Sequence, residues 1–119
     1  MNAALAVRKN ESFSGVIDFN RCDWGDPIHE FLKLGHFSSE ISIPFSIGQI
    51  RGYFNGKDPD VEFWQLYSLH LAISLTSFIA WTKAVNPSEM PRTMNIIERV
   101  LEDHDFFEKI VPKWYLENA

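Results

Sequence analysis

The sequence GVIDFNRCDWGDP, residues 15–27, carries the strongest structural signals in this chain of 119 residues. Its first part contains Val16 and Ile17, β-branched residues that favour a strand. Its last pair, Asp26 and Pro27, is typical of a helix start, with aspartate as the N-cap and proline at the first helical position. The stretch therefore predicts a strand that ends near residue 19 and a helix that begins near residue 27.

A second apolar run, residues 3–7, precedes this strand, and the polar, turn-prone residues 8–12 separate the two runs. The pair predicts a β-hairpin over about residues 3–19. Because two strands alone are marginal in water, we expect the hairpin to pack against helices.

The rest of the chain, residues 26–119, predicts four or five helices. In the first of them, Ile28, Phe31 and Leu32 share one face, and Gly35 is the predicted C-terminal stop. Residues 38–44 are ambiguous, since apolar residues alternate there as in a strand, while a helix over about residues 44–54, ended by Asn55 and Gly56, is also readable.

A second aspartate–proline pair, Asp58 and Pro59, predicts the start of the longest helix, which reaches to about residue 85. A loop follows at residues 86–88, and then a helix over about residues 92–104. The predicted buried face of that helix contains Met94, Ile97, Val100 and Leu101. Residues 105–111 predict a further helical turn or two, ended by Pro112. The predicted fold is a single domain over residues 1–119, mainly α with a small N-terminal β-hairpin (α+β).

Composition and charge exclude several classes of protein. The net charge is −5 and the basic residues are scattered, whereas nucleic-acid binding requires clustered Lys and Arg. The long apolar segment at residues 61–85 is interrupted by polar side chains, so we interpret it as a core helix rather than a membrane span. Cys22 is the sole cysteine, which excludes an internal disulfide and suits the cytoplasm.

The two motifs IDF, residues 17–19, and WGDP, residues 24–27, resemble the metal-binding segment of the aminoglycoside phosphotransferase family. That family groups with the choline-kinase-like and protein-kinase-like phosphotransferases. The resemblance implies that Asp18 binds a Mg²⁺ ion bridging the phosphates of ATP, and that Asn2 stands where the family has a second metal ligand. It also implies that Asp26 supports the catalytic loop, and it gives Trp24, Gly25 and Pro27 structural roles in packing and turn formation.

The family's His-x-Asp catalytic motif, glycine-rich loop and nucleotide-pairing lysine all lie upstream of the segment that matches. The resemblance therefore implies the C-terminal helical subdomain of a kinase-like enzyme, and we expect a fragment without catalytic activity of its own. No catalytic residue is assigned, and ATP and Mg²⁺ are not expected to bind to this chain alone. A stand-alone helical interaction or regulatory module is the alternative, and a small phosphotransferase completed by a second chain is a weaker one.

The resemblance also implies a cationic small-molecule acceptor, which acidic and aromatic side chains would surround. The candidate contacts are the following acids: Glu30, Asp58, Asp60 and Glu62. Three of them fall near a predicted helix start, where the helix dipole alone favours acidic residues. Both explanations stay open at this point.

Two further expectations concern association and metals. A surface left uncovered by the missing part of the enzyme predicts a homodimer. The four histidines show no short metal-binding spacing, so the sequence predicts no zinc site.

Overall fold

A β-hairpin opens the part of the chain that the computed structural model describes, which comprises residues 5–10, 12–17 and 24–119. Strands β1 (Leu5–Lys9) and β2 (Ser12–Ile17) pair in an antiparallel sheet, and helices make up most of the remainder. Both strands extend into the predicted loop, so only residues 10 and 11 separate them. Asn10 has a φ of 51°, a left-handed conformation that asparagine tolerates. The predicted fold, mainly α with an N-terminal hairpin, is confirmed.

A continuous helical run follows Asp26. It comprises a 3-10 segment (Pro27–Phe31), a π-helical turn (Leu34–Ser38) and helix α1 (Ser39–Ile41). Gly35 lies inside the π-helical turn, so its prediction as the stop of this helix is wrong. Glycine is required here because it leaves room for the side chain of Tyr67. A Cβ atom at this position would lie 2.7 Å from the Tyr67 hydroxyl.

The residues 38–44, whose pattern is ambiguous in the sequence, lead into helix α2 (Ile43–Tyr53). Ser42 caps it, and the Ser42 hydroxyl accepts a hydrogen bond from the backbone N–H of Phe45 at 3.3 Å. The strand interpretation is wrong here because the alternating apolar residues are helical. The helix ends as predicted, with Asn55 and Gly56 both in the left-handed region at φ values of 55° and 82°.

Helix α3 (Val61–Val85) has 25 residues and is the longest helix in the described part of the chain. Its N-cap is Asp60, which accepts a hydrogen bond from the backbone N–H of Phe63 at 2.9 Å. The prediction that Asp58 and Pro59 begin this helix is therefore wrong by two residues. Its buried core side chains recur at helical spacing: Phe63, Trp64, Tyr67, Leu71 and Leu75. In the part of the chain described here, no helix has the length and hydropathy needed to cross a membrane.

Helix α4 (Met90–Asp103) packs against α3, and a 3-10 turn (Pro87–Glu89) joins them. Its buried residues are Thr93, Ile96, Ile97 and Val100. Met94, a predicted core residue, is 40% exposed. The buried face is therefore rotated relative to the prediction, and it includes Thr93, whose hydroxyl lies 2.9 Å from that of Thr82 on α3.

The segment after α4 departs from the predicted helical turns. Asp105, Phe106 and Phe107 have φ values between 50° and 63°, which is left-handed backbone, so the prediction of a further right-handed turn is wrong. The turn encloses His104, which is buried and whose Nδ1 lies 3.0 Å from the carbonyl oxygen of Lys109. Helix α5 (Lys113–Asn118) ends the fold.

Candidate functional site

The two metal ligands implied by the sequence, Asp18 and Asn2, lie outside the described residues. Within residues 5–10, 12–17 and 24–119, no group of three His, Cys, Asp or Glu side chains could hold a metal ion. The metal site at Asp18 and Asn2 therefore stays a prediction.

The WGDP motif forms a turn that leads into the helical run. Asp26 has extended backbone, and its carboxylate accepts a hydrogen bond from the N–H of Ile28 at 3.0 Å. Pro27 occupies the first helical position, where its missing N–H costs nothing. The turn is open to solvent, since the side chain of Trp24 is 99% exposed and Gly25 is also exposed. This capping hydrogen bond orients the start of the helical run and holds the Asp26 carboxylate in place.

A cavity of about 230 Å³ begins directly at Asp26. It lies between the 3-10 segment, the end of α2 and the start of α3. Four aromatic side chains line it: Phe31, Tyr53, Phe54 and Phe63. They form a closed cycle of edge-to-face contacts with ring centroids 5.1 to 5.5 Å apart. Phe31 and Phe63 are buried, while Tyr53 is 56% exposed and brings the cycle to the surface.

Three carboxylates line the same cavity, those of Asp26, Asp60 and Glu62. Two of them are helix caps, and each uses one oxygen for its capping hydrogen bond. Glu62 lies in the first turn of α3 and is exposed. None of the three carboxylates forms an ion pair within 4.0 Å with a basic side chain of the described ranges. The cavity therefore combines unpaired negative charge with aromatic walls.

Two of the four acids predicted to contact a cation lie elsewhere. Asp58 accepts hydrogen bonds from the hydroxyl of Tyr115 at 2.6 Å and from the guanidinium of Arg51 at 3.1 Å. These two donors, the tyrosine first, hold the pKa of Asp58 below its usual value. Glu30 is exposed and does not line the cavity. Asp58 therefore ties α2 to α5, whereas Asp60 and Glu62 belong to the cavity.

Sequence reasoning missed the pocket role of Asp26, because a capping aspartate needs no further explanation. Its proximity to Asp60 depends on two helix starts that converge only in the folded chain. A repeated pattern of aspartate near proline at residues 26–27 and 58–60 was the available signal. This repeated pattern predicts two helix caps, but it does not predict that the two caps line the same cavity.

The arrangement suits a small cation. Aromatic faces attract cations through the ring quadrupole, and carboxylates add Coulomb attraction. The volume is below the ~300–1,000 Å³ of pockets that enclose a whole drug-sized ligand. The cavity can therefore take one cationic group of a larger molecule rather than the entire molecule.

Comparison with known proteins gives the family. A family model described as phosphotransferase enzyme family, APH, matches residues 3–67, more than half of the chain. This span contains the hairpin, the WGDP turn and every residue that lines the cavity. No curated protein and no solved structure matches the chain significantly. On the evidence of the family match, the chain belongs to the phosphotransferase enzyme family.

Proposed function

We propose that this chain supplies the acceptor side of an ATP-dependent small-molecule phosphotransferase, and that its cavity receives a cationic group of the acceptor. The observation that carries the proposal is the combination of three unpaired carboxylates with a cycle of four aromatic rings in one cavity. The cavity begins at Asp26, the residue that by resemblance supports the catalytic loop. A cation held there would lie beside the segment that positions the reacting groups.

We further propose that the 119 residues alone do not transfer phosphate. Phosphoryl transfer depends on a base, a phosphate cradle and Mg²⁺ held in fixed positions, and the printed sequence contains no His-x-Asp motif. The family generally uses ATP and Mg²⁺, but Asp18 and Asn2 offer only two ligands, and Mg²⁺ sites usually borrow further ligands from the nucleotide. This chain therefore holds neither cofactor by itself. Its single cysteine, Cys22, suits a cytoplasmic location.

Binding of cationic probes tests the cavity directly. Choline and a polycationic aminoglycoside are titrated into the chain and followed by amide chemical shifts, with glucose as the uncharged comparison. Glu62→Gln removes a cavity charge without removing a cap, so we expect several-fold weaker binding. Glu98→Gln removes an exposed acid on α4, outside the cavity, and is the matched control. Equal weakening in the two variants would show that only the net charge matters and would contradict the cavity.

A transfer assay tests the second part of the proposal separately. The chain is incubated with ATP, Mg²⁺ and a cationic acceptor, and product is compared with that of an Asp18→Ala preparation. We expect no difference. Transfer that depends on Asp18 would overturn the proposed inactivity and leave the acceptor cavity intact.

A second candidate function, a stand-alone interaction module, draws support from exposed apolar side chains. Ile73 and Trp81, both on α3, are 56% and 57% exposed. We propose that a second copy of the chain covers this surface as a symmetric dimer. Light scattering at tens of micromolar should give the dimer mass, and Ile73→Lys should reduce it, whereas Gln49→Lys, an exposed change on α2, should not. A monomer in the wild type would contradict this proposal.

A further inference from the structure

Two histidines that are far apart in the sequence meet at the surface. His29 belongs to the 3-10 segment and His70 to α3, and their ring centroids are 4.4 Å apart with the planes inclined by 49°. His29 is exposed and His70 is partly exposed. Neither ring has a hydrogen-bond partner among residues 5–10, 12–17 and 24–119, so in each ring either nitrogen is available to bind a metal ion through its lone pair.

The other two histidines are already used by the fold. His36 is 8% exposed, with Nε2 lying 3.0 Å from the hydroxyl of Ser74. His104 is 1% exposed, and its Nδ1 is bonded to the Lys109 carbonyl. These two rings hold structural hydrogen bonds, whereas His29 and His70 form the pair with free nitrogens.

The separation of the pair fits a shared metal ion. A transition metal lies about 2.0–2.1 Å from an imidazole nitrogen, and hence about 3.2 Å from the ring centre. Two rings bound to one ion at right angles then have centres about 4.5 Å apart, and about 5.2 Å apart at the tetrahedral angle. The observed 4.4 Å is close to the right-angle value. We propose that His29 and His70 form a two-histidine site for a divalent transition-metal ion, with water in the remaining positions.

The ligand chemistry distinguishes this site from the family's Mg²⁺ site. Imidazole nitrogens select Zn²⁺, Ni²⁺ and Cu²⁺, whereas Mg²⁺ takes oxygen ligands. The site also joins two elements, because the 3-10 segment and α3 each contribute one ligand. A bound ion therefore clamps the start of the helical run onto the long helix, and it does so whether or not the chain has an acceptor pocket.

Titration calorimetry with Ni²⁺ on the full, untagged chain tests the site. We expect one ion per chain and a rise in Tm of about 5 °C or more at excess Ni²⁺. His29→Gln and His70→Gln preserve polarity and size, and each should weaken binding at least tenfold, while the double variant should lose less than the sum of the two single losses in binding free energy. Gln65→Ala, an exposed change on α3, is the control and should bind like the wild type.

The spectrum of bound Cu²⁺ supplies a second readout that does not depend on stability. Nitrogen hyperfine coupling should indicate two imidazoles in the wild type and one in either single variant. The proposal is overturned if the wild type does not bind the ion. It is also overturned if either single variant keeps full affinity, or if the two losses add independently, as they would for separate sites.

Discussion

Replacement of Gly35 by alanine tests the packing that joins the N-terminal helical run to α3. A Cβ atom at this position would lie 2.7 Å from the hydroxyl of Tyr67 and 3.3 and 3.4 Å from the two methyl groups of Leu71. Both of those residues are fully buried. Because the tyrosine ring is enclosed on all sides, its hydroxyl cannot swing away from the new methyl group.

The magnitude follows from two opposing effects. Adding a methyl group to a well-packed core costs about 1–3 kcal/mol. Alanine is favoured over glycine in a helix by about 0.5–1 kcal/mol. We therefore expect Gly35→Ala to lower the free energy of unfolding by up to about 2.5 kcal/mol. Gly48→Ala is the matched control, because Gly48 is also helical and a Cβ there meets no atom within 4 Å. It should stabilise the protein, and the difference between the two variants isolates the packing cost.

Urea unfolding followed by circular dichroism measures both variants, with the m-value confirming that the same surface is exposed. A third variant tests the cause. The Tyr67 hydroxyl is buried and lies beside the backbone of Gly35. Tyr67→Phe removes this oxygen, so Gly35→Ala should cost less in that background, with a coupling free energy of about 1 kcal/mol. Equal stabilities of Gly35→Ala and Gly48→Ala, or no coupling, would refute the reasoning.

Three further predictions concern titration and capping. Burial and the charge of Arg99 lower the pKa of His36 from 6.5 to about 4. On acidification the unfolded chain therefore takes up a proton that the folded chain excludes. Urea unfolding between pH 6.5 and 4 should show the free energy of unfolding fall by at most about 3 kcal/mol, and by less in His36→Gln. Burial and the Asp58 carboxylate raise the pKa of Tyr115 to about 12, and phenolate absorbance in an alkaline titration should show a lower pKa in Asp58→Asn. Asp26→Ala should cost about 1 kcal/mol in urea unfolding, whereas Asp26→Ser should retain most of the stability because serine also caps.

The sequence predicted those parts of the fold that short-range chemistry determines. The hairpin, the cap at Asp26 and the end of α2 at Asn55 and Gly56 each depend on a few neighbouring residues. The errors arise where distant residues decide. Gly35 resembles a helix stop locally, but it is retained inside a helix because Tyr67 of α3 needs the space. Asp58 resembles a cap, but Arg51 and Tyr115 hold its carboxylate.

The candidate site was predictable only in part for the same reason. Residue type alone marked Asp60 and Glu62 as acids that could meet a cation. Their position beside Asp26 and the aromatic cycle depends on the packing of three helical segments. The approach of His29 to His70 likewise depends on that packing, and a search for short histidine spacings cannot find it.

Asp26 and Asp60 both cap a helix and line the cavity, so the helix dipoles must be weighed against the carboxylates in deciding whether the cavity attracts cations. Two helix starts border it, and a full helix terminus carries up to roughly +0.5 of an elementary charge, which alone would favour an anion. The three carboxylates more than offset this, leaving a local charge of about −2, and solvent screening keeps the field within roughly 8 Å. Losing Asp26 or Asp60 would change both the helix and the field. Glu62 changes only the field, so the effect of Glu62→Gln on probe binding separates recognition of a cation from the stabilisation of two helices.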